Sequence, residues 1–444
     1  MNPELLSLFG ILVAVAVFIF AIFSGYHITL VSMLCMAIVA IFSQINIMDT
    51  LMGPWVGKFA GTYKSFFLMF FFSALFAKSL GDVGAAQAIA FKLAKLAHKF
   101  PGNEKLAAVL CLAMIQFVFS IGGISVFVVT FTVLYIAKDL FTQMDVPWKL
   151  YTCSTLGAAT FTVGMFPGSP QLTNIIPMEY FGTPATAAPV LGLISSVLCI
   201  ILGVLWINHQ VKTCERNNEG FEPSGTALLQ SWDSSKDVTA VDMPLWKCLF
   251  PSIVLFIVLN VMQAHAVAAL LAGTVTAWII FNPVKQFKFI KNAAITAVQN
   301  ANQALVALAS AAGFGAVVAS ASGFNYILSG LNSIPGPPAV QIIVAVNVAA
   351  AFSASSSTGL KIALDMLGER FMGFGIPPEA LHRLSAMSSC MLDDLPHSSA
   401  LANTYYMCKL DYKESYINNF MISIVNVTVV TIIAAILVTL GLTF

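Results

Sequence analysis

Apolar runs free of charged residues alternate along this chain with short polar interruptions. Leu5–Phe23 and Ile28–Ser43 are two such runs, joined by the turn Ser24-Gly25-Tyr26-His27, and Ser65–Ala77 supplies a third. Each reads as membrane-span material, because one helical crossing takes ~20 predominantly apolar residues. Residues 84–100 differ. Lys92, Lys95 and Lys99 recur there at helical spacing among Ala, Ile, Phe and Leu. The pattern predicts an amphipathic helix lying in the membrane interface, and its lysines, with Lys105, favour a cytoplasmic side.

From Leu106 to Ala137, 32 residues pass without a charge. That is too long for one span and short for two with a loop. Gly122 and Gly123 interrupt the run, with Ser120 and Ser125 beside them. One span followed by a re-entrant hairpin with a glycine tip fits this pattern. Such backbone survives at membrane depth only when buried in protein or facing a wet cavity. Leu150–Met178 is again uncharged, yet it contains Phe166-Pro167-Gly168-Ser169-Pro170-Gln171-Leu172-Thr173-Asn174 and then Pro177. Three prolines and a glycine predict a broken helix. Pro184–Asn208 follows as an uninterrupted span.

Residues 209–247 hold 10 of the 41 charges and form the one aqueous loop. Beyond it the pattern repeats. Pro251–Ile280 is span material, and 283–300 is a second amphipathic piece with Lys285, Lys288 and Lys291. Asn292–Leu360 then runs 69 residues without a charge and ends in Ser353-Ala354-Ser355-Ser356-Ser357-Thr358-Gly359. Leu384–Tyr406 contains Asp393-Asp394-Leu395-Pro396-His397-Ser398-Ser399, a second proline break, and Ile417–Leu442 is the final span. The expected organisation is a first repeat over 1–208, a polar linker over 209–247 and a second repeat over 248–444. Two broken segments at matching places in two halves point to a substrate site near the membrane midplane. Roughly 10–12 crossings are expected.

Composition agrees with this pattern. Of 444 residues 58% are hydrophobic and 9% charged, where a soluble domain carries about a quarter. The expected fold is an all-α polytopic membrane protein. A net charge of +1 excludes a nucleic-acid binder that works by charge. The apolar N-terminus carries Glu4 rather than Lys or Arg ahead of it, so it reads as a retained span and not a signal peptide. Eight scattered cysteines show neither C-x-x-C nor zinc spacing, and no metal or other cofactor is expected. G-x-S-x-G, H-E-x-x-H and P-loop motifs are missing, which argues against an enzyme and against ATP-driven transport by this chain alone.

The candidate chemistry sits in the interruptions. Around the first break, backbone N–H groups and a helix N-terminus make an anion seat, and Ser169, Gln171, Thr173 and Asn174 add neutral donors. The alternative is a proline kink whose hydroxyls bond the backbone. The serine cluster Ser353, Ser355, Ser356, Ser357 and Thr358 is either a second re-entrant tip or a polar loop. Lys361, the first charge beyond it, either attracts an anion or snorkels to headgroups. Asp393, Asp394 and His397 lie in a hydrophobic-length segment, where ionisable groups are functional by default. Histidine titrates near neutral pH, so Asp393 and His397 are a candidate proton-coupling pair. Alternatively, the aspartates cap the following half-helix. His27 and His265 read as satisfied interfacial residues.

Two blocks of residues are similar to a known family. Phe166-Pro167-Gly168-Ser169-Pro170-Gln171 with Asn174-Ile175-Ile176-Pro177 and Tyr180-Phe181-Gly182-Thr183, and Leu381-His382-Arg383-Leu384 with Leu395-Pro396-His397, resemble the gluconate permease (GntP) family of the ion transporter superfamily. The likeness is strongest to its hydroxybutyrate-type branch. The resemblance implies inverted repeats, two re-entrant hairpins and an elevator-type transport domain moving against a scaffold. It implies proton-coupled symport of small organic anions, such as sugar acids or hydroxycarboxylates. By position, Ser120, Gly122, Gly123 and Ser125 match the first hairpin tip, Ser353, Ser355, Ser356 and Ser357 the second, and Asp393, Pro396 and His397 the second broken helix. The chain departs from the family at Asp394, where Thr is usual, at Ser398-Ser399, where Asn-Gly is usual, and at Lys361. Na⁺ in place of the proton, a channel, and a membrane-embedded enzyme subunit remain as alternatives. The expected setting is a multi-pass position in a bacterial inner membrane, with a homodimer open.

Overall fold

The computed structural model describes residues 2–444 except 122–125, 232–242, 263 and 332–334. Among the described residues the regular structure is all helical. Among the described residues, six helices are long and apolar enough to cross a membrane, and four shorter ones are also apolar. The first half contains α1 (Pro3–Phe23), α2 (Ile28–Phe42), α3 (Ile47–Asp82), α4 (Ala85–Ala97), α5 (Glu104–Ile121) and α6 (Val126–Gln143). Short turns lead to α7 (Leu172–Phe181) and α8 (Pro189–Arg216). The second half contains α9 (Leu245–Phe256), α10 (Ala266–Ile280), α11 (Pro283–Ser320), α12 (Ser322–Leu331), α13 (Pro338–Ser353) and α14 (Ser356–Met372). It closes with α15 (Pro378–Ser389), α16 (Ser399–Cys408) and α17 (Tyr412–Thr439).

Several elements of residues 3–216 have counterparts of similar length in 245–439, although α15 stands where the first half has only short helical turns. Both α2 and α10 have 15 residues, and each starts behind a histidine. His27 Nδ1 accepts from the Thr29 N–H at 3.3 Å, and His265 Nδ1 from the Val267 N–H at 3.2 Å. Each histidine thus satisfies a helix-start N–H that would otherwise lack a partner. Both α7 and α16 have ten residues and end on a left-handed residue, Gly182 at φ 65° and Lys409 at φ 51°. Both α8 and α17 span 28 residues.

Some boundaries correct the sequence pattern. The segment 283–300 is not a separate amphipathic piece. It is the first part of α11, 38 residues without a break, because nothing in its sequence stops a helix. Pro177 does not break α7 but lies inside it; the interruption is carried by residues 165–171 alone. The polar stretch expected from 209 begins later, since α8 runs on to Arg216. Helix α4 forms where the lysine spacing predicts it, with Ala86, Ile89, Ala90 and Ala94 buried and α6 packed against it.

The most extensive packing in the fold pairs α11 with α3, and α11 also packs on α2 and α16. Alanines at 297, 301 and 304 make the α11 face narrow, and Phe70 and Leu305 fill the seam. Small residues suit such packing in lipid, where close approach of backbones replaces the hydrophobic drive.

Candidate functional site

The serine cluster forms a hairpin tip. Helix α13 ends at Ser353, Ala354 takes a left-handed φ of 54°, and α14 starts at Ser356. The two arms touch so closely that a Cβ on Gly359 would sit 2.2 Å from the Ala350 Cα. Ser355 caps α14, its Oγ accepting from the Thr358 N–H at 3.4 Å, and the Ser355 and Ser357 hydroxyls lie 3.4 Å apart. The corresponding first tip, with Gly122, Gly123 and Ser125, lies outside the described residues.

Beside this tip runs the second break, residues 390–398 between α15 and α16. The Ser356 hydroxyl faces the Asp393 carboxyl. Asn419 and Ser423 of α17 face Asp394, whose carbonyl accepts from the Tyr416 hydroxyl at 3.3 Å. His397 is 1% exposed, with its Nε2 2.9 Å from the Ala351 carbonyl. A carbonyl only accepts, so Nε2 carries the proton and donates. Phe18 and Phe314 stand edge-on to the ring, at centroid distances of 6.1 and 6.3 Å. His397 therefore ties the second break to the α13 arm and does not open onto the cavity described below.

The first break is organised differently, because its polar groups are bonded to protein. Gly168, at φ 77°, donates its N–H to the Ala185 carbonyl at 2.9 Å. Ser169 donates to the Thr162 carbonyl and Thr173 to the Val163 carbonyl. The Asn174 amide nitrogen donates to the carbonyls of Ser169 and Ala185, both at 2.8 Å. Its Oδ1 accepts from Arg383 Nη1 at 2.8 Å and from His382 Nε2 at 3.1 Å. Arg383 is fully buried and also donates to Ala187 at 2.7 Å and to Gly164 at 3.3 Å. His382 Nδ1 meets the Thr183 hydroxyl at 2.7 Å. A buried guanidinium is thus held by carbonyl and amide oxygens, and α15 of one half is fastened to the broken helix of the other. Gln171 makes another tie, donating to the Ser120 carbonyl at 3.0 Å and to its hydroxyl at 3.3 Å.

A cavity of about 700 Å³ joins these parts. Gln171, Leu172 and Thr173 reach it from the start of α7, Ser355 to Thr358 from the start of α14, and Ser398 to Ala400 from the start of α16. Asp393 and Asp394 lie in its wall. Lys58 and Thr62 of α3, with Ala312, Gly315 and Ala316 of α11, close the other side. Three helix N-termini converge on this space. Each brings the positive end of a helix dipole to it, and at α14 the Thr358 N–H is already capped by Ser355.

Of the predicted site residues, Gln171, Thr173, Ser355, Ser356, Ser357, Thr358 and Asp393 come together on this cavity. Gly168, Ser169, Asn174, Ser120 and His397 stand behind it and hold its walls. Lys361 is elsewhere, 58% exposed on its side chain, 3.1 Å from the Tyr180 hydroxyl and 3.6 Å from Asp365. Sequence reasoning missed Lys58, which belongs to a helix far away along the chain, and gave Arg383 no role. A lone arginine at the head of an uncharged segment was the available signal. Among the described residues no group of His, Cys, Asp or Glu is arranged to hold a metal ion.

No family model matches the chain. Over 478 aligned positions it is 28% identical to the uncharacterized transporter YxjC of Bacillus subtilis (strain 168), covering 98% of this chain and all of that one. This full-length likeness supports a multi-pass membrane transporter. Among solved structures the chain is similar to the YdaH transporter of Alcanivorax borkumensis, with 15% identity, 89% of this chain and 90% of that chain covered, and a TM-score of 0.36. That overlap is too low to bear on the site. Neither likeness extends to the gluconate permease family, a substrate or a coupling ion.

Proposed function

We propose that the chain is a secondary active transporter for a small organic anion, a gluconate-like sugar acid or short hydroxycarboxylate, working as a proton symporter of the gluconate permease type. The observation that carries this reading is the convergence of three helix N-termini on one cavity. Each terminus favours an anion by about 0.3–1 kcal/mol, and by up to ~2 kcal/mol when partly buried. The hydroxyls of Ser355, Ser356, Ser357 and Thr358 supply neutral donors for a hydroxylated substrate.

Asp393 and Asp394 explain why the anion would need a companion. A carboxylate about 6 Å from an ionised aspartate is repelled by roughly 3 kcal/mol at an effective dielectric of about 20. A proton on one aspartate, or a cation beside it, removes that penalty, so substrate and cation bind together. Na⁺ is the second reading, because the oxygens of Ser355, Ser356 and Asp393 are hard donors of the kind such ions take. The matched elements of the two halves support inverted repeats over 1–208 and 248–444, joined by the linker 209–247, and elevator motion of the hairpins with their broken helices.

The test uses purified protein in proteoliposomes. A pH gradient imposed in sodium-free buffer is expected to drive accumulation of a monocarboxylate, with amines and neutral sugars ignored. Accumulation only when Na⁺ is added would transfer the coupling to sodium. Movement of a cation without response to any carboxylate would end the anion reading.

A further inference from the structure

A second cavity, of about 510 Å³, lies at the other end of the same two helices. On α3 the site described above takes Lys58, Thr62 and Phe66, and the second cavity takes Ala74, Lys78 and Asp82. On α11 the order is reversed. Thr296, Asn300 and Gln303 line the second cavity, and Leu308, Gly315 and Ala319 the first. The two helices therefore run antiparallel past both spaces. Lys58 and Lys78 are twenty residues apart on α3, or ~30 Å along a helix, which matches the hydrocarbon thickness of a bilayer, ~30 Å. The two cavities thus lie toward opposite ends of α3.

What separates them is thin. Gln303 and Leu308 are five residues apart on α11, or ~7.5 Å of rise. Phe70, Ala301, Ala304 and Leu305 fill that layer, each with no exposed surface. Ser399 and Ala400 at one end of α16 touch the first cavity, and Tyr406, Met407 and Lys409 at the other end touch the second.

Charge distinguishes the second cavity. Its wall carries Lys78, Asp82 and Lys409. Lys78 and Asp82 are paired with each other. Lys409 makes no ion pair among the described residues; its ammonium lies 4.5 Å from the centroid of the Tyr406 ring. It also occupies an unusual backbone position. At φ 51° it ends α16 in the left-handed region, where the matching residue of the first half is Gly182. Glycine fills that position without steric cost, so a lysine there stands against the backbone preference. The carboxamides of Gln299, Asn300 and Gln303 face the same space.

We propose that this second cavity is the opposite-side binding vestibule of the transport route, taking a small organic anion on Lys409 and the α11 carboxamides. The inference rests on the anion-transporter reading for its ligand, but its geometry and its charge are tested without any substrate. In sealed proteoliposomes of fixed orientation, Asn300→Cys and Thr358→Cys are compared in a Cys111→Ala background, because Cys111 is the one native cysteine that is not buried. A membrane-impermeant thiosulfonate is expected to label Asn300→Cys from one side and Thr358→Cys from the other. Labelling of both from the same side would overturn the two-sided arrangement.

The charge test compares an anionic and a cationic thiosulfonate at Asn300→Cys, each rate taken relative to that with a free thiol. The anionic reagent is expected to be favoured, and Lys409→Gly, which relaxes the left-handed backbone, is expected to lower the ratio about fivefold. Lys409→Arg should restore it. A ratio that ignores Lys409→Gly, or that favours the cation from the outset, would overturn the anion vestibule. If opposite-side labelling and the charge ratio hold while no carboxylate is transported, the parent reading fails and the vestibule stands.

Discussion

The two helix interruptions, at 165–171 and 390–398, differ in how they use their polar groups. In the first, Ser169, Thr173 and Asn174 spend their side chains on neighbouring carbonyls and on Arg383. In the second, Asp393 and the serines at 398 and 399 face the cavity. The first break contributes mainly backbone, the N-terminus of α7, while the second contributes ionisable and hydroxyl side chains. Two helix interruptions of one cavity wall can thus share a geometry while only one carries the titratable chemistry.

The largest effect is expected where the first break is fastened. Arg383→Met removes the guanidinium donor from the Ala187 and Gly164 carbonyls and leaves Asn174 Oδ1 with His382 alone, and should destabilise the protein by about 3–5 kcal/mol. Thermal unfolding in detergent checks this. A variant as stable as the parent would mean that the first break does not depend on the clamp. Asn174→Ala should destabilise in the same way, by about 2–3 kcal/mol, rather than weaken substrate binding in an otherwise intact protein.

Next comes the second break. Asp393→Asn should abolish pH-driven accumulation while exchange of substrate across the membrane continues. Asp394→Asn should be milder, since Asn419 and Ser423 already face that carboxylate. Unchanged accumulation with Asp393→Asn would separate the second break from coupling and move the proton, or the ion, elsewhere. Gln171→Ala is the intermediate case, because its amide both lines the cavity and holds Ser120. A fall in affinity of about 5–10-fold is expected, as for one hydrogen bond of about 1–1.4 kcal/mol. Lys361→Ala should change uptake by less than about twofold, because an exposed ion pair is worth little. A larger effect would bring that lysine into the route.

The elements of the site were legible because each leaves a local mark. Proline and glycine in an uncharged run announce broken helix at 166–174, and consecutive serines after an apolar run announce the tip at 353–358. The hydroxyl of Thr173, by comparison, gave no sign of whether it would face substrate or the Val163 carbonyl. The same holds for His397, an apparent partner of Asp393 by spacing. Its ring instead lies between Phe18 of α1 and Phe314 of α11, both remote from it along the chain. Pro177 shows the converse limit, since packing of α7 on α14 and α15 keeps a helix through a residue that usually ends one.

By itself the sequence determined that this chain is an all-α membrane protein, and that its helices are interrupted near 166–171 and 393–398. Those properties depend on hydrophobic run length and on local backbone preference, which act within a few turns of chain. Only the tertiary structure decided which polar groups are used up inside the protein and which are left facing a cavity. That division follows from the partners each group meets, and Asn174 meets Arg383 across 209 positions of sequence. It also decided that α3 and α11 carry a cavity at each end. A buried polar group must find a partner wherever the fold brings one, and no spacing rule along the chain contains that information.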